Sequence, residues 1–330
     1  MRIKKILIKG LYSKFNFNWK LNSAVNILSG INGSYKTTLI RLIRSLCLAN
    51  LLRDICKVEF VELSFSQDIS LKYKSFNDNL LNLKNLSPED ELLGCIAQDM
   101  KPDIDGLDDA HLAERKLAAD IIRISRNKSD ISIKDFKNSI RIDYISTFDV
   151  PDMVHKKGER TYLDKKLDDL ERDYAYYLSD LSKMLLDNIN EGKQMDISIA
   201  KEIFSQRDLF LSIVQAAFND TEKKIDDNKS KLEFILKDGT TIHYESLSSG
   251  EKQFLIIMLT VLLERKQEYI LLLDEPEISM HYEWQRKLIE NILNLNPNCQ
   301  IILTTHSPAL IMDGWEQSVT NIESIKEYNG

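Results

Sequence analysis

Val25-Asn26-Ile27-Leu28-Ser29-Gly30-Ile31-Asn32-Gly33-Ser34-Tyr35-Lys36-Thr37-Thr38 is the stretch on which the fold turns. Val25 to Leu28 is a short apolar run and reads as a buried strand. From Lys36 to about Leu52 the residues Leu39, Leu42, Ile43 and Leu46 recur at helical spacing. Strand, glycine-containing loop, helix is the setting in which GxxxxGK[ST] cradles phosphates. Gly30 allows the tight exit from the strand, and Gly33 lets the backbone approach phosphate oxygens. Asn32, Ser34 and Tyr35 complete the loop, whose N–H groups and helix N-terminus supply positive potential. Lys36 would reach the β- and γ-phosphates, and the Thr37 hydroxyl would bind Mg²⁺. Tyr35 is a departure, because glycine is usual before the lysine. A tyrosine there costs strain if the site needs positive φ, and little if it sits in the right-handed region. A helix start would let the ring point away. For the loop alone, the bland alternative is a glycine turn with no ligand.

Further along, Ile270-Leu271-Leu272-Leu273-Asp274-Glu275-Pro276 is an apolar strand ending in two acids. Such a tip does not hold two carboxylates without a cation to bind or a water to activate. Asp274 fits a Mg²⁺ ligand of the Walker-B kind, and Glu275 fits the base that polarises the attacking water. Leu247-Ser248-Ser249-Gly250-Glu251-Lys252-Gln253 precedes a helical pattern, and its serines and glycine suit a phosphate-seeking helix start. The plain alternative is an N-cap by Ser249. Thr304-Thr305-His306-Ser307 follows an apolar run at 300–303, where His306 is placed to sense or stabilise a γ-phosphate. A lone histidine is usually structural, but this one has partner motifs in order.

Composition sets the limits. The chain has 330 residues, 43% hydrophobic and 29% charged, with 11 Gly and 6 Pro. Those values fit a globular protein of about two domains, or one with a large insertion, and exclude a disordered or fibrous chain. The apolar run Phe254 to Leu263 is half the ~20 residues of a bilayer span. Ile6-Leu7-Ile8 is too short for a signal peptide. Cys47, Cys56, Cys95 and Cys299 are scattered and read as reduced thiols of a cytoplasmic protein. Net charge is −7, yet residues 1–53 hold ten Lys/Arg and no acid, leaving 34 basic and 51 acidic groups beyond them. An acid-free basic segment suggests polyanion handling, either nucleotide phosphates or nucleic acid; several of the lysines can equally lie on solvated strand faces.

Strand patterns at 2–10, 57–65 and 69–74, with a turn at Gln67-Asp68, belong to a first segment, 1–76. Residues 77–140 are polar and read as a mainly helical insertion. A strand at 141–146 follows, within the segment 141–150. Residues 151–230 are helical and charged. There Leu163, Leu167, Leu170, Tyr174, Tyr177, Leu181 and Met184 form a heptad seam over three repeats, short enough that packing on the chain's own next helix is favoured over an intermolecular coiled coil. Residues 231–330 return to strand–helix alternation: a hairpin at Asp238-Gly239, helices at about 249–265 and 281–295, and strands at 269–273 and 300–303. The fold class is α/β with a long, mainly α-helical insertion.

Taken in order, the loop, LSSGEKQ, LLLDEPE and TTHS resemble an ABC-type ATPase head, a mixed sheet with a P-loop helix. The resemblance is narrower to the SMC and DNA-repair branch and to OLD-like ATPases, including stand-alone ATPase subunits of phage-defence systems (Septu, PARIS or retron-associated). It covers about residues 1–75, 141–150 and 231–325. It implies that Gly30, Gly33, Lys36, Thr37 and Thr38 bind ATP phosphates and Mg²⁺, that Asp274 and Glu275 are the Walker-B pair, and that His306 is the switch histidine. Ser248 and Gly250 would contact the γ-phosphate on an opposite subunit, and Ser279 to His281 would run as the D-loop. Tyr144-Ile145-Ser146-Thr147-Phe148-Asp149 sits where a Q-loop is expected but holds no glutamine.

The leading expectation is an ATPase that pairs head-to-tail in a homodimer or larger homo-oligomer and switches an effector in trans. Alternatives are a transporter motor subunit, a nucleotide-state sensor with little hydrolysis, and a DNA-repair-type ATPase acting on DNA. Lys36 and Gly250 are 214 residues apart, which speaks against the transporter, which keeps that interval short. The Asp274-Glu275 pair speaks against the sensor, and Tyr35 speaks for it. Only 24 residues follow His306, too few for a TOPRIM nuclease domain, so a nuclease or toxin partner is expected and a membrane partner is not.

Overall fold

The computed structural model describes residues 1–48, 58–75, 121–127, 129–146, 161–190, 197–227, 229 and 231–328. They form two compact units. The first comprises Met1–Ser23, Gly30–Ile142 and Thr320–Gly330, and the second Ala24–Ser29 and Asp143–Val319. The division does not follow contiguous segments: the strand before the phosphate loop belongs to the second unit, and the C-terminal stretch to the first.

The first unit is built on a seven-stranded sheet. It contains β1 (Ile3–Leu11), β2 (Phe15–Lys20), β4 (Phe60–Phe65), β5 (Ile69–Lys74), β6 (Ile121–Arg126), β7 (Ser129–Asp130) and β15 (Lys326–Tyr328), in the order β15-β2-β1-β4-β5-β6-β7. Alternation drives it: Ile6, Ile8, Val61, Leu63, Leu71 and Tyr73 are buried while their neighbours face outward. The hairpin expected at Gln67-Asp68 forms, with both residues at positive φ. Helix α1 (Lys36–Cys47) follows the loop, and the short α2 (Ile133–Ser139) packs Phe136 edge-on against Phe65.

A helical insertion over 77–140 needs correction where it can be checked. Residues 121–126 are a strand paired antiparallel with β5, from Ile69↔Arg126 to Lys74↔Ile121. Among the described residues of that stretch, helix is confined to the seven residues of α2. The reason is tertiary: β5 offers an edge whose ladder and cross-strand contacts outweigh the polar character of the region. Residues 76–120, the end of the helix projected to Leu52, Cys56, Cys95 and Thr147-Phe148-Asp149 lie outside the described residues.

A second sheet, ordered β14-β3-β13-β12-β8, comprises β3 (Val25–Ser29), β8 (Ile142–Ser146), β12 (Tyr269–Asp274), β13 (Cys299–Thr304) and β14 (Val319–Asn321); the second unit holds β3, β12, β13, β8 from Asp143 on and Val319 of β14. Strands β12 and β13 are buried along their whole length, as continuous apolar runs of a covered parallel sheet must be. A small sheet of β9 (Lys223–Ile225), β10 (Glu233–Leu236) and β11 (Thr241–His243) turns at Gly239, φ +84°. Helices α3 (Tyr162–Asn190), α4 (Ile197–Phe218), α5 (Ser249–Leu263) and α6 (Tyr282–Leu295) complete the unit. The heptad seam is intramolecular. Leu167, Leu170, Tyr174, Tyr177 and Leu181 are buried against α4 and α5, while Met184, at the seam's end, is exposed.

Candidate functional site

Strands β3, β13 and β12 run parallel, with Leu28, Thr304 and Asp274 in one register row. Their C-terminal ends therefore share one edge, where open α/β sheets bind ligands. The chain leaves β3 at Ser29 and enters the loop at Gly30.

In the first unit, the loop is shaped by two glycines for different reasons. A Cβ on Gly30 would lie 2.5 Å from Ile322 Cγ2 and 2.9 Å from Ser34 Oγ. Gly33 has φ +78° and open space around it, so its requirement is conformational. Asn32 and Gly33 are exposed, Ser34 is buried, and Thr37 and Thr38 are half-buried in the first turn of α1. Lys36 is buried, 4% exposed, and its ammonium curls back over the loop to Gly30 O at 3.0 Å and Ile31 O at 3.2 Å. No acid lies in the first turn of α1, so no carboxylate there competes for its leading N–H groups.

Tyr35 takes the strained branch of its two readings. It lies at φ 75°, ψ 14°, in the left-handed region. Its ring does not turn away. It sits 5.1 Å from the Phe15 ring and 5.5 Å from that of Tyr12, with Lys326 Nζ 5.9 Å from its centroid. Lys326 is closer to Phe15, at 4.6 Å, and to Tyr328, at 5.4 Å. This aromatic and cationic packing holds the loop residue in a conformation usually left to glycine.

In the second unit, Asp274, Glu275 and His306 come together around Thr304. The Asp274 carboxylate is fully buried and accepts from Thr304 Oγ1 at 2.6 Å and, at the outer limit, from Tyr144 O–H at 3.5 Å. Tyr144 thus supplies a hydroxyl in the segment where a Q-loop glutamine was sought. Glu275 N donates to Thr304 O at 3.1 Å and to Thr304 Oγ1 at 3.2 Å, and Glu275 has φ 48°. A non-glycine residue in that region at a strand tip is strain of the kind found at active sites. His306 Nε2 lies 3.3 Å from Glu275 Oε1.

Ser248 and Gly250 lie at the start of another element, α5. Ser248, not Ser249, is the N-cap: Oγ accepts from Glu251 N at 3.3 Å, and Ser248 N donates to Glu251 Oε2 at 2.8 Å, a capping box. Gly250 is required by its neighbour. A Cβ there would lie 2.0 Å from the carbonyl oxygen of Ser279, which itself has φ 69°. Gly250 and the backbone of Ser279 are therefore in contact within one chain. The signature helix is also tied to its surroundings by two ion pairs, Lys252–Asp164 at the start of α3 and Lys223–Glu251, each at 2.7 Å. Burial would raise both carboxyls. The Lys252 ammonium with Thr161, and Lys223 with Ser248, outweigh it and hold them below the usual carboxylate range.

Sequence reasoning missed Glu277, the last acid of LLLDEPE, whose carboxylate accepts from the residues around His306. Its signal was legible only as a third acid after the strand.

These residues suit ATP and Mg²⁺. The Lys36 ammonium and the open Gly33 backbone fit phosphate oxygens. Among the described residues no group of three His, Cys, Asp or Glu could hold a metal alone. The Thr37 hydroxyl in the first unit and the Asp274 carboxylate in the second are each oxygen donors of the kind taken by Mg²⁺ that arrives with phosphates and keeps waters.

The glycine loop before α1, the acid-tipped buried strand β12, the capped start of α5 and His306 are carried on a mixed α/β scaffold of the kind seen in SMC head domains. Residues 25–313 match the family described as AAA domain, putative AbiEii toxin, Type IV TA system, and the chain belongs to that family. It is 28% identical over 180 residues to the retron Vc95 probable ATPase of Vibrio cholerae serotype O1 biovar El Tor, covering 51% of this chain and 34% of that protein. It is 29% identical over 183 residues to the Septu protein PtuA of Bacillus thuringiensis, covering 47% and 46%. The chain thus spans between a third and a half of the length of these relatives. Its fold is similar to that of an SMC head crystallised with the C-winged helix domain of ScpA, with TM-score 0.52 and 11% identity over 94% of this chain and 91% of that one. Among the described residues no helix is long and apolar enough to cross a membrane.

Proposed function

We propose that this chain binds and hydrolyses ATP, pairs head-to-tail with a second copy through ATP, and controls an effector, a nuclease or toxin, in cytoplasmic antiphage defence. The observation that carries the hydrolytic reading is Glu275. It is an acid adjacent to the buried Asp274, held at positive φ by two bonds to Thr304 and faced by His306 at 3.3 Å. The similarity to the retron and Septu proteins supports the defence setting.

In this reading Lys36 and the loop N–H groups bind the β- and γ-phosphates, with Gly30, Asn32, Gly33, Ser34, Tyr35 and Thr38 shaping or lining that grip. Mg²⁺, held by Thr37, Asp274 and the phosphates, would neutralise charge on the transferred phosphoryl group. Glu275 orients the attacking water and draws its proton, and His306 steadies Glu275 and reports on the γ-phosphate. Ser248 and Gly250 present the start of α5 to the nucleotide of the second copy. The loop of one copy and the start of α5 of the other then act on the same nucleotide.

The test is Glu275→Gln. It should bind ATP as the parent does and turn over at least ~10²-fold more slowly, the scale of a lost general base. Phosphate release at the parental rate would refute the assignment.

A further inference from the structure

Glu277 lies two residues past Glu275 and is buried, 9% exposed. Its Oε1 accepts three hydrogen bonds: from Thr305 Oγ1 at 2.6 Å, His306 N at 2.8 Å and Ser307 N at 3.2 Å. Its Oε2 is buried with no hydrogen-bond partner among the described residues. A buried acid with one oxygen uncompensated is costly, so solvation at the surface does not account for this carboxylate. Two consecutive backbone N–H groups and a hydroxyl converging on one oxygen form a small anion nest, here closed by the chain itself.

The same loop is braced from its other side. Ser307 Oγ donates to Gln285 Oε1 at 2.6 Å, and Gln285 Nε2 donates to Met280 O at 2.9 Å and Glu277 O at 3.4 Å. Thr305 N donates to Leu28 O at 3.3 Å. The backbone on both sides of His306 is therefore fixed to β3, to the turn after β12 and to α6. The imidazole extends from it to Glu275.

We propose that Glu277 is a positioning residue: its carboxylate sets the backbone of His306 so that the imidazole stays on Glu275. The proposal rests on the reading of Glu275 and His306 as the catalytic pair. The Glu277 side-chain contacts are with Thr305, His306 and Ser307, so it acts through His306. The three donors need an acceptor at one point in space, so position matters more than charge. Because Gln285 joins Met280 to Ser307, and Ser279 abuts Gly250, the same network gives the signature end of α5 a mechanical route to the switch loop.

Glu277→Gln keeps an acceptor oxygen at full reach, whereas Glu277→Asp keeps the charge and withdraws it by one methylene. Two measurements on the full chain separate the outcomes. In the first, the His306 ring carbon signal is followed by NMR without nucleotide, with and without Glu275→Gln. That substitution should move the signal in the parent and in Glu277→Gln, and leave it unmoved in Glu277→Asp. In the second, Glu277→Asp should lower kcat at least ~10-fold with KM for ATP changed less than ~3-fold, Glu277→Gln should recover most of the loss, and Glu277→Asp with His306→Ala should be no slower than His306→Ala alone. Multiplying losses in the double variant, a Gln variant slower than the Asp variant, or a His306 signal that still responds to Glu275 in Glu277→Asp would each overturn the proposal. If the parent does not hydrolyse ATP, the hydrolytic reading fails by itself, and the NMR comparison alone decides whether Glu277 positions His306.

Discussion

Replacing Tyr35 by glycine and by alanine separates the backbone of the phosphate loop from the ring that holds it. At φ 75°, ψ 14° an L-residue costs about 1–2 kcal/mol relative to the right-handed region. The ring offsets this through its pairs with Phe15 and Tyr12, at about 0.5–1.5 kcal/mol each beyond burial. Glycine removes both the strain and the ring, so Tyr35→Gly should lie within about 1 kcal/mol of the parent. Alanine removes the ring and keeps the strain, and should fall about 1–2 kcal/mol below the glycine variant. Tyr35→Phe should match the parent. Differential scanning calorimetry gives the order Tyr, Phe and Gly together, then Ala. Calorimetric ATP titration should show Tyr35→Gly still binding, with hydrolysis changed less than ~10-fold, because Gly allows the loop its observed geometry. An alanine variant as stable as the glycine one would refute the strain argument. A glycine variant that loses all binding would show that the ring itself belongs to the site.

Lys36→Ala removes the cation aimed at the phosphates and should lose most ATP affinity by calorimetry. Mixed with Ser248→Arg, it should restore part of the ATPase activity that neither variant shows alone, one composite site per pair; normal hydrolysis by Ser248→Arg alone would favour a self-contained site. Gly250→Ala forces a Cβ toward the Ser279 carbonyl and should destabilise by about 1–3 kcal/mol, read as a lowered melting temperature, because backbone on both sides must shift. Burial, with Glu264 nearby, pushes the Asp143 carboxyl up to about 6. A raised carboxyl contributes stability that is present below its unfolded value near 4 and lost as pH rises through about 6. The parent should therefore lose about 1–2 kcal/mol relative to Asp143→Asn between pH 4 and pH 7.5, allowing for its partly exposed side chain, and equal pH dependence of the two melting curves would exclude it.

What the sequence determined by itself was local in origin. A run such as Ile270 to Leu273 is fully apolar and can only be a covered strand, and its two acids mark where that strand meets a ligand. Lys36 after a glycine turn, Ser248 before a helix and the seam from Leu167 to Leu181 are written in spacings of one to seven residues, which are properties of a strand or helix before it packs. Tertiary structure decided what depends on residues distant in the chain. Residues 121–126 became a strand because β5, some fifty residues earlier, offered an edge. Tyr35 could stay in the left-handed region because Tyr12, Phe15 and Lys326 surround its ring. Gly250 is fixed by a carbonyl 29 residues ahead of it, and Glu277 acquired its role from donors 28 to 30 residues away. Hydrophobic periodicity reports which face of an element is buried. It carries no information on which distant backbone atom will lie against that face, and strain, close approach and convergent hydrogen bonds are all set by that second quantity.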